Sequence, residues 1–171
     1  SLFFHEVNVP DYPLFHYQPY ELALSSKLVD TVKKYNIELL HVHYAIPHAY
    51  AAYMTKQILR SENINIPIIT TLHGTDITLV GKHPFYKPAV RFSINNSDFV
   101  TSVSEDLKNE TKKLFNINKE IKVIPNFVDF SKHLNHKQEF DREFIALDDE
   151  KIISHVSNFR KVKRTLDVID I

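Results

Sequence analysis

Cysteine is absent from the 171 residues, and glycine occurs twice, at Gly74 and Gly81. Ordinary usage would supply roughly a dozen glycines. Outside those two positions, a positive φ falls to whatever asparagine or aspartate tolerates. Neither GxGxxG nor GxxxxGK[ST] occurs, which excludes a self-contained glycine-rich phosphate loop. A nucleotide would be handled by other means, or by parts outside this chain. The lack of cysteine excludes disulfides and CxxC sites, and a cytoplasmic location is the expectation. An excess of one charge is lacking too. Lys+Arg and Asp+Glu number 21 each, which argues against nucleic acid or a membrane surface as partner. No apolar run reaches the ~18 residues of a spanning helix. What remains, 43% hydrophobic and 25% charged residues, is an ordinary globular composition.

The length allows one domain with a sizeable core. Residues 2–9 already read as a strand, with no turn or cap before them, and 163–171 read as a helix cut short. The chain therefore reads as a piece of a larger protein.

A Pro/Tyr-rich loop at 10–19 precedes a helix, in which Leu24, Leu28, Val32 and Tyr35 recur at helical spacing. Strands are predicted at 37–43, 67–72, 99–103 and 121–124. Helices are predicted between them: one opened by Pro47, one at 84–95, and one capped by Ser104 with Glu105 and Asp106 at its positive end. This β-α alternation predicts a Rossmann-like parallel sheet with helices on both faces. Residues 1–128 form that domain. Residues 129–149 are a polar linker with a short helix. Residues 150–171 begin a second domain, with a strand at 151–156.

Ligands of such sheets bind beyond the carboxyl ends of the strands, and the unusual residues fall there. His41 and His43 share one face of a strand, with His48 nearby. This is either half of a metal site, with Asp76 as a conceivable further ligand, or one histidine packed in the sheet and one at its rim. No third ligand is evident by spacing. In HGTD at 73–76, Gly74 permits a sharp turn, and His73 and Thr75 can meet sugar hydroxyls. The plainer reading is a turn in which Asp76 caps the next segment. Arg91 stands among apolar positions of a helix. It can fork a carboxylate, but taken alone it reads as a snorkelling arginine. Arg160, Lys161, Lys163 and Arg164 follow the predicted strand. They form either a diphosphate site at a helix start or a solubilising turn.

Together these segments resemble a retaining glycosyltransferase of family 4, with the two-domain GT-B architecture. IPNFVD at 124–129 resembles that family's turn between domains. VTSVSEDLK at 100–108 resembles its helix start, and HVSNFRKVKR at 155–164 its donor-phosphate segment. HVHYAIPHA at 41–49, TTLHGTDIT at 70–78, AVRFSI at 89–94 and DYPLFHYQPYELALS at 11–25 are similar to members that glycosylate L-malate. The resemblance covers essentially the whole chain. It implies transfer of N-acetylglucosamine from UDP-N-acetylglucosamine to L-malate with retention, the opening step of bacillithiol biosynthesis. No metal or other cofactor is implied, and a homo-oligomer stays open.

By the same resemblance, His73 is the catalytic residue, positioning the donor sugar rather than acting as a base. Tyr44, Thr75 and Arg91 belong to the acceptor pocket. Ser157, Arg160 and Lys163 belong to the donor diphosphate. The family's N-terminal glycine-rich loop and its acidic Glu-x7-Glu segment have no counterpart in these residues, so this piece alone is expected to be inert. The alternatives are a family member with another acceptor, a metal-dependent hydrolase built on His41 and His43, and a non-catalytic sugar-binding module.

Overall fold

A computed structural model describes residues 2–11, 13, 17–133, 144–158 and 160–170, without the side chains of Lys132, His133 and Val162. Residues 12 and 14–16 of the Pro/Tyr-rich loop, 134–143 of the linker, and Phe159 lie outside the described residues. The chain forms two units, Ser1–Phe127 and Val128–Ile171.

In the first unit the order is α1 (Tyr20–Tyr35), β1 (Leu40–His43), α2 (Tyr50–Ser61), β2 (Ile68–Leu72), α3 (Lys87–Asn96), β3 (Phe99–Ser102), α4 (Glu105–Phe115) and β4 (Lys122–Val123). Irregular helical turns at Ala45–Ala49 and Thr75–Leu79 follow β1 and β2. The four strands make one parallel sheet in the order β1-β2-β3-β4. This is the Rossmann-like α/β architecture the alternation predicts.

Two expectations change. Residues 2–9 are not a strand. Leu2, Phe3 and Phe4 are exposed, and the segment touches α1 through a tilted ring contact of His5 with Tyr35. A strand exists only as one side of a ladder, and among the described residues this segment has no partner strand. The helices of this unit also cover one face of the sheet, not two. Leu40, Ile68, Leu72 and Val100 lie in cores with Val29 and Val32 of α1, Leu59 of α2, Ile94 of α3 and Phe115 of α4. The opposite face presents His41, His43, Ile69, Thr71 and Phe99, half-buried or exposed. The strands alternate because imidazoles and hydroxyls occupy every second position.

Helix boundaries follow local chemistry. The Ser104 side chain accepts from the Leu107 amide at 3.1 Å and caps α4. Asn36 and Asn116 end α1 and α4 at φ 52 and 50, and Asn63 adopts φ 63. Asparagine thus fills left-handed positions that glycine usually takes. The α1 stripe is centred on Ser25, Val29 and Val32, and Tyr35 is exposed. The Ser25 hydroxyl reaches the Ala51 carbonyl at 3.1 Å, and the Thr55 hydroxyl the Ser25 carbonyl at 3.2 Å. Small, satisfied polar side chains let α1 and α2 approach closely. Asp98 clips α2 to the sheet. It accepts from Lys56 Nζ at 2.7 Å and from the Ile68 amide at 2.7 Å. Desolvation works to raise its pKa, but those hydrogen bonds and the charges of Lys56 and Lys119 hold it below the ordinary value.

The two glycines serve different ends. Gly74 adopts φ +114 in open space, with nothing within 4 Å of an added Cβ. Gly81 is buried, and an added Cβ would stand 2.0 Å from the Asp76 carbonyl oxygen and 3.2 Å from Phe115 Cζ. Backbone cannot yield there. Gly81→Ala is expected to cost about 3 kcal/mol by overpacking, read as a lowered urea midpoint at unchanged slope. A wild-type midpoint would contradict this packing.

In the second unit α5 (Phe130–His133), a 3-10 turn (Lys161–Lys163) and α6 (Thr165–Ile169) are formed. Residues 151–156 are not a strand: Ile153 and Val156 are exposed and no ladder partner is present among the described residues.

Candidate active site

Strand register decides which side chains share the open face. His41 pairs with Ile69, His43 with Thr71, and Thr71 with Thr101. Alternation therefore sends 41 and 43, 69 and 71, and 101 to one side. His73, just past β2, joins them. His43 Nδ1 lies 2.7 Å from His73 Nε2. His41 Nε2 lies 2.8 Å from Thr71 Oγ1, which lies 2.8 Å from Thr101 Oγ1. The His73 ring stands 5.0 Å from that of His43 and 5.1 Å from that of Tyr44. These histidines and threonines, with Ile69 and the segment from Ile124 to Phe127, line a cavity of about 470 Å³ on the open face of the sheet.

Asp76 organises the backbone around it. Its carboxylate is buried, 3% exposed. Oδ2 accepts from the Ala45 amide at 2.8 Å. Oδ1 accepts from the Gly74 amide at 3.1 Å, and from the His73 amide at a long 3.4 Å. One side chain thus joins the turn after β1 to the turn after β2. Tyr44, between them, holds φ 77, unusual for a residue with a Cβ. Its amide donates to the Thr71 carbonyl at 2.9 Å. Strain of this kind persists where surrounding contacts over-determine it, and it clusters at working sites.

The expected site residues divide. His73 and Tyr44 come together. Thr75 is exposed on the turn after Gly74 and does not line the cavity. Arg91 is exposed on α3 and lines a separate cleft of about 600 Å³ with Lys87, Phe92 and Asn95. It is not brought to His73. In the second unit, Ser157 Oγ lies 2.9 Å from His155 Nε2. Arg160 and Lys163 are exposed at either end of the 3-10 turn, where the Lys163 amide donates to the Arg160 carbonyl at 2.7 Å. The sequence reading missed the bond between His43 and His73. It also missed the carboxylate bridge of Asp76, for which the only signal was the acidic residue two places after Gly74. Among the described residues, no group of three or more His, Cys, Asp or Glu could hold a metal ion. His43 and His73 instead use a ring nitrogen each on the other.

Partial burial lowers the pKa of both His41 and His73 from the ordinary 6.5. His43 lowers both further, His73 lowers that of His41, and Asp76 opposes the shift in His73. Both rings are neutral at pH 7. The unfolded chain then binds more protons between the lowered values and 6.5. Stability from these groups is complete above 6.5 and is lost as pH falls through that window. Urea midpoints are expected to drop between about pH 7.5 and about pH 5.5, and to drop less in His41→Gln. An equal drop in the variant would contradict this.

Among the described residues, no helix is long and apolar enough to cross a membrane. The chain is 46% identical over 170 residues to the N-acetyl-alpha-D-glucosaminyl L-malate synthase of Bacillus anthracis, covering 99% of this chain and 44% of that protein. It is 31% identical over 103 residues to the putative teichuronic acid biosynthesis glycosyltransferase TuaC of Bacillus subtilis strain 168, covering 57% and 24%. An uncharacterized glycosyltransferase of Methanocaldococcus jannaschii is 28% identical over 123 residues, covering 67% and 34%. The chain thus spans less than half the length of these curated relatives. The four-stranded parallel sheet is consistent with the N-terminal part of a GT-B glycosyltransferase. The model of Glycosyltransferase Family 4 matches residues 2–132, and the chain belongs to that family.

Proposed function

We propose that the full-length protein transfers N-acetylglucosamine from UDP-N-acetylglucosamine to the hydroxyl of L-malate, with retention, as the first step of bacillithiol biosynthesis. The observation behind this reading is the 46% identity to the L-malate synthase along 99% of the chain, a span that includes the His73 cavity. The geometry suits it. Imidazoles and hydroxyls gather on the open face of the parallel strands, with His73 and Tyr44 at the carboxyl ends, where α/β sheets take their ligands. A pocket lined by imidazoles and hydroxyls, without a carboxylate or a lysine or arginine, suits a sugar.

In the proposed reaction the sugar–phosphate bond breaks, and charge builds on the UDP diphosphate. Arg160 and Lys163, with the Ser157 hydroxyl, are the residues proposed to bind that group. The sugar passes through an oxocarbenium-like state. Malate attacks from the side of the leaving group, and the departing phosphate takes its proton. His73 positions the sugar. Tyr44, Thr75 and Arg91 are proposed for malate, whose two carboxylates call for donors and positive charge. For Arg91 this requires the acceptor to reach α3, since that side chain lies outside the His73 cavity.

A second reading, a family-4 transferase with another acceptor, draws on the likeness to TuaC. An acceptor panel separates the two. The full-length protein is incubated with UDP-N-acetylglucosamine and L-malate, D-malate, other hydroxy acids or sugar acceptors, and UDP release is followed. L-malate is expected to give by far the fastest release. Faster release with another acceptor would overturn the malate assignment.

A further inference from the structure

The bond between His43 and His73 has a chemical consequence. Two neutral imidazoles can bond through ring nitrogens only if one proton lies between them. Here the facing atoms are His43 Nδ1 and His73 Nε2. If His43 donates, its proton is on Nδ1, and His73 must leave Nε2 bare and carry its own proton on Nδ1. If His73 donates, its proton is on Nε2, and His43 must leave Nδ1 bare and carry its own on Nε2. Either way both rings take the same tautomer. The state of His43 therefore fixes whether His73 offers a donor or an acceptor at its remaining nitrogen.

The surroundings support a fixed arrangement. His43 issues from β1, whose ladder with β2 sets its height against Thr71. Its carbonyl accepts from His48 Nδ1 at 2.6 Å, and its ring has that of His41 at 4.8 Å. On the other side, Asp76 anchors the backbone at His73 and Gly74, and the Tyr44 ring flanks the His73 ring. The imidazole of His73 is thus held from its backbone and at Nε2.

We propose that His43 is a positioning residue for the transfer reaction, holding the His73 ring in one orientation and tying its tautomer to that of His43 through Nδ1. This rests on the role given to His73 above. In retaining transfer a misplaced group costs on the order of 10²-fold in rate. Loss of the lock, with His73 itself present, is expected to cost about tenfold.

The test uses the full-length protein with ¹⁵N-labelled histidine, together with His43→Ala and His43→Asn. Asparagine places an amide near the position of Nδ1 and can donate or accept. Wild-type His43 and His73 are expected to show the same tautomer by ¹⁵N NMR. In His43→Ala the His73 signal is expected to shift, its tautomer no longer tied to residue 43. Turnover then falls about tenfold, with KM for both substrates nearly unchanged. His43→Asn, whose amide can bond Nε2 in either tautomer, is expected to hold the ring and restore most of the turnover. Opposite tautomers in the wild type, or an unaltered His73 signal in His43→Ala, would overturn the proposal. If His43→Ala does not fold, the wild-type tautomers and the turnover of His43→Asn still decide it. The spectra need no turnover. Matching tautomers in a protein inactive with malate would therefore count against the malate reading and for the lock.

Discussion

Alanine in place of His73 is expected to lower turnover of the full-length protein by about 10²-fold, with little change in KM for the donor. The ring stands at the carboxyl end of β2, is bound at Nε2 by His43 and is flanked by Tyr44. Its contribution in the proposed reaction is placement of a sugar approaching an oxocarbenium-like state, an interaction that counts only as the barrier is crossed. Truncation removes that contact without touching the residues proposed for the diphosphate. The imidazole is half-buried and spans no core, so the fold should persist, checked by an unchanged urea midpoint near neutral pH. Steady-state kinetics of transfer decide the matter. Unchanged turnover would end the role given to His73.

Asp76→Ala is expected to have the largest effect on stability among single substitutions at the site, about 3 kcal/mol. The carboxylate is buried and accepts from the amides of Ala45 and Gly74, in two different turns. Truncation strips the acceptor from the amide of Ala45, a residue with no exposed surface. A buried donor left unpaired costs about 1–3 kcal/mol, and the vacated space adds to that. Asp76→Asn is informative in a different way. Its amide keeps one acceptor oxygen and turns a donor toward a second backbone donor, so it should recover only part of the loss. Urea unfolding of the three proteins measures this. Wild-type stability in Asp76→Ala would mean that the two turns are held by other contacts. Loss of transfer in Asp76→Asn beyond its loss of stability would show that Tyr44 and His73 work only when the turns are joined.

Much of the fold is legible because it rests on local signals. The Ser104 cap, the asparagines that end α1 and α4, and the places of four strands are written within a few residues of where they act. What fails is what depends on a partner. Residues 2–9 and 151–156 have strand composition, but composition makes no ladder without a neighbour. The open face of the sheet was misread for a related reason. Runs such as LHVH and IITTL look apolar in sum, yet every second side chain is an imidazole, a hydroxyl or a lone isoleucine, and helices cover only the other side.

The site divides the same way. His73 and Gly74 announce themselves, since a glycine in so glycine-poor a chain marks a turn that needs one. The contact between His43 and His73 spans 30 residues and depends on the register of β1 against β2, which no local pattern encodes. Asp76 was visible as an acidic residue at a turn, but its second partner, Ala45, lies 31 residues away. Arg91 shows the opposite case. The resemblance assigns it to the acceptor, while its position on α3 places it in a separate cleft.

The most direct measurement is the stereochemistry and identity of the product formed by the full-length protein from UDP-N-acetylglucosamine and L-malate, read by NMR at the anomeric carbon. The expected result is an α-linked N-acetylglucosaminyl malate, formed one for one with released UDP. A β-linked product, hydrolysis to free N-acetylglucosamine, or no UDP release with malate would contradict the proposed reaction.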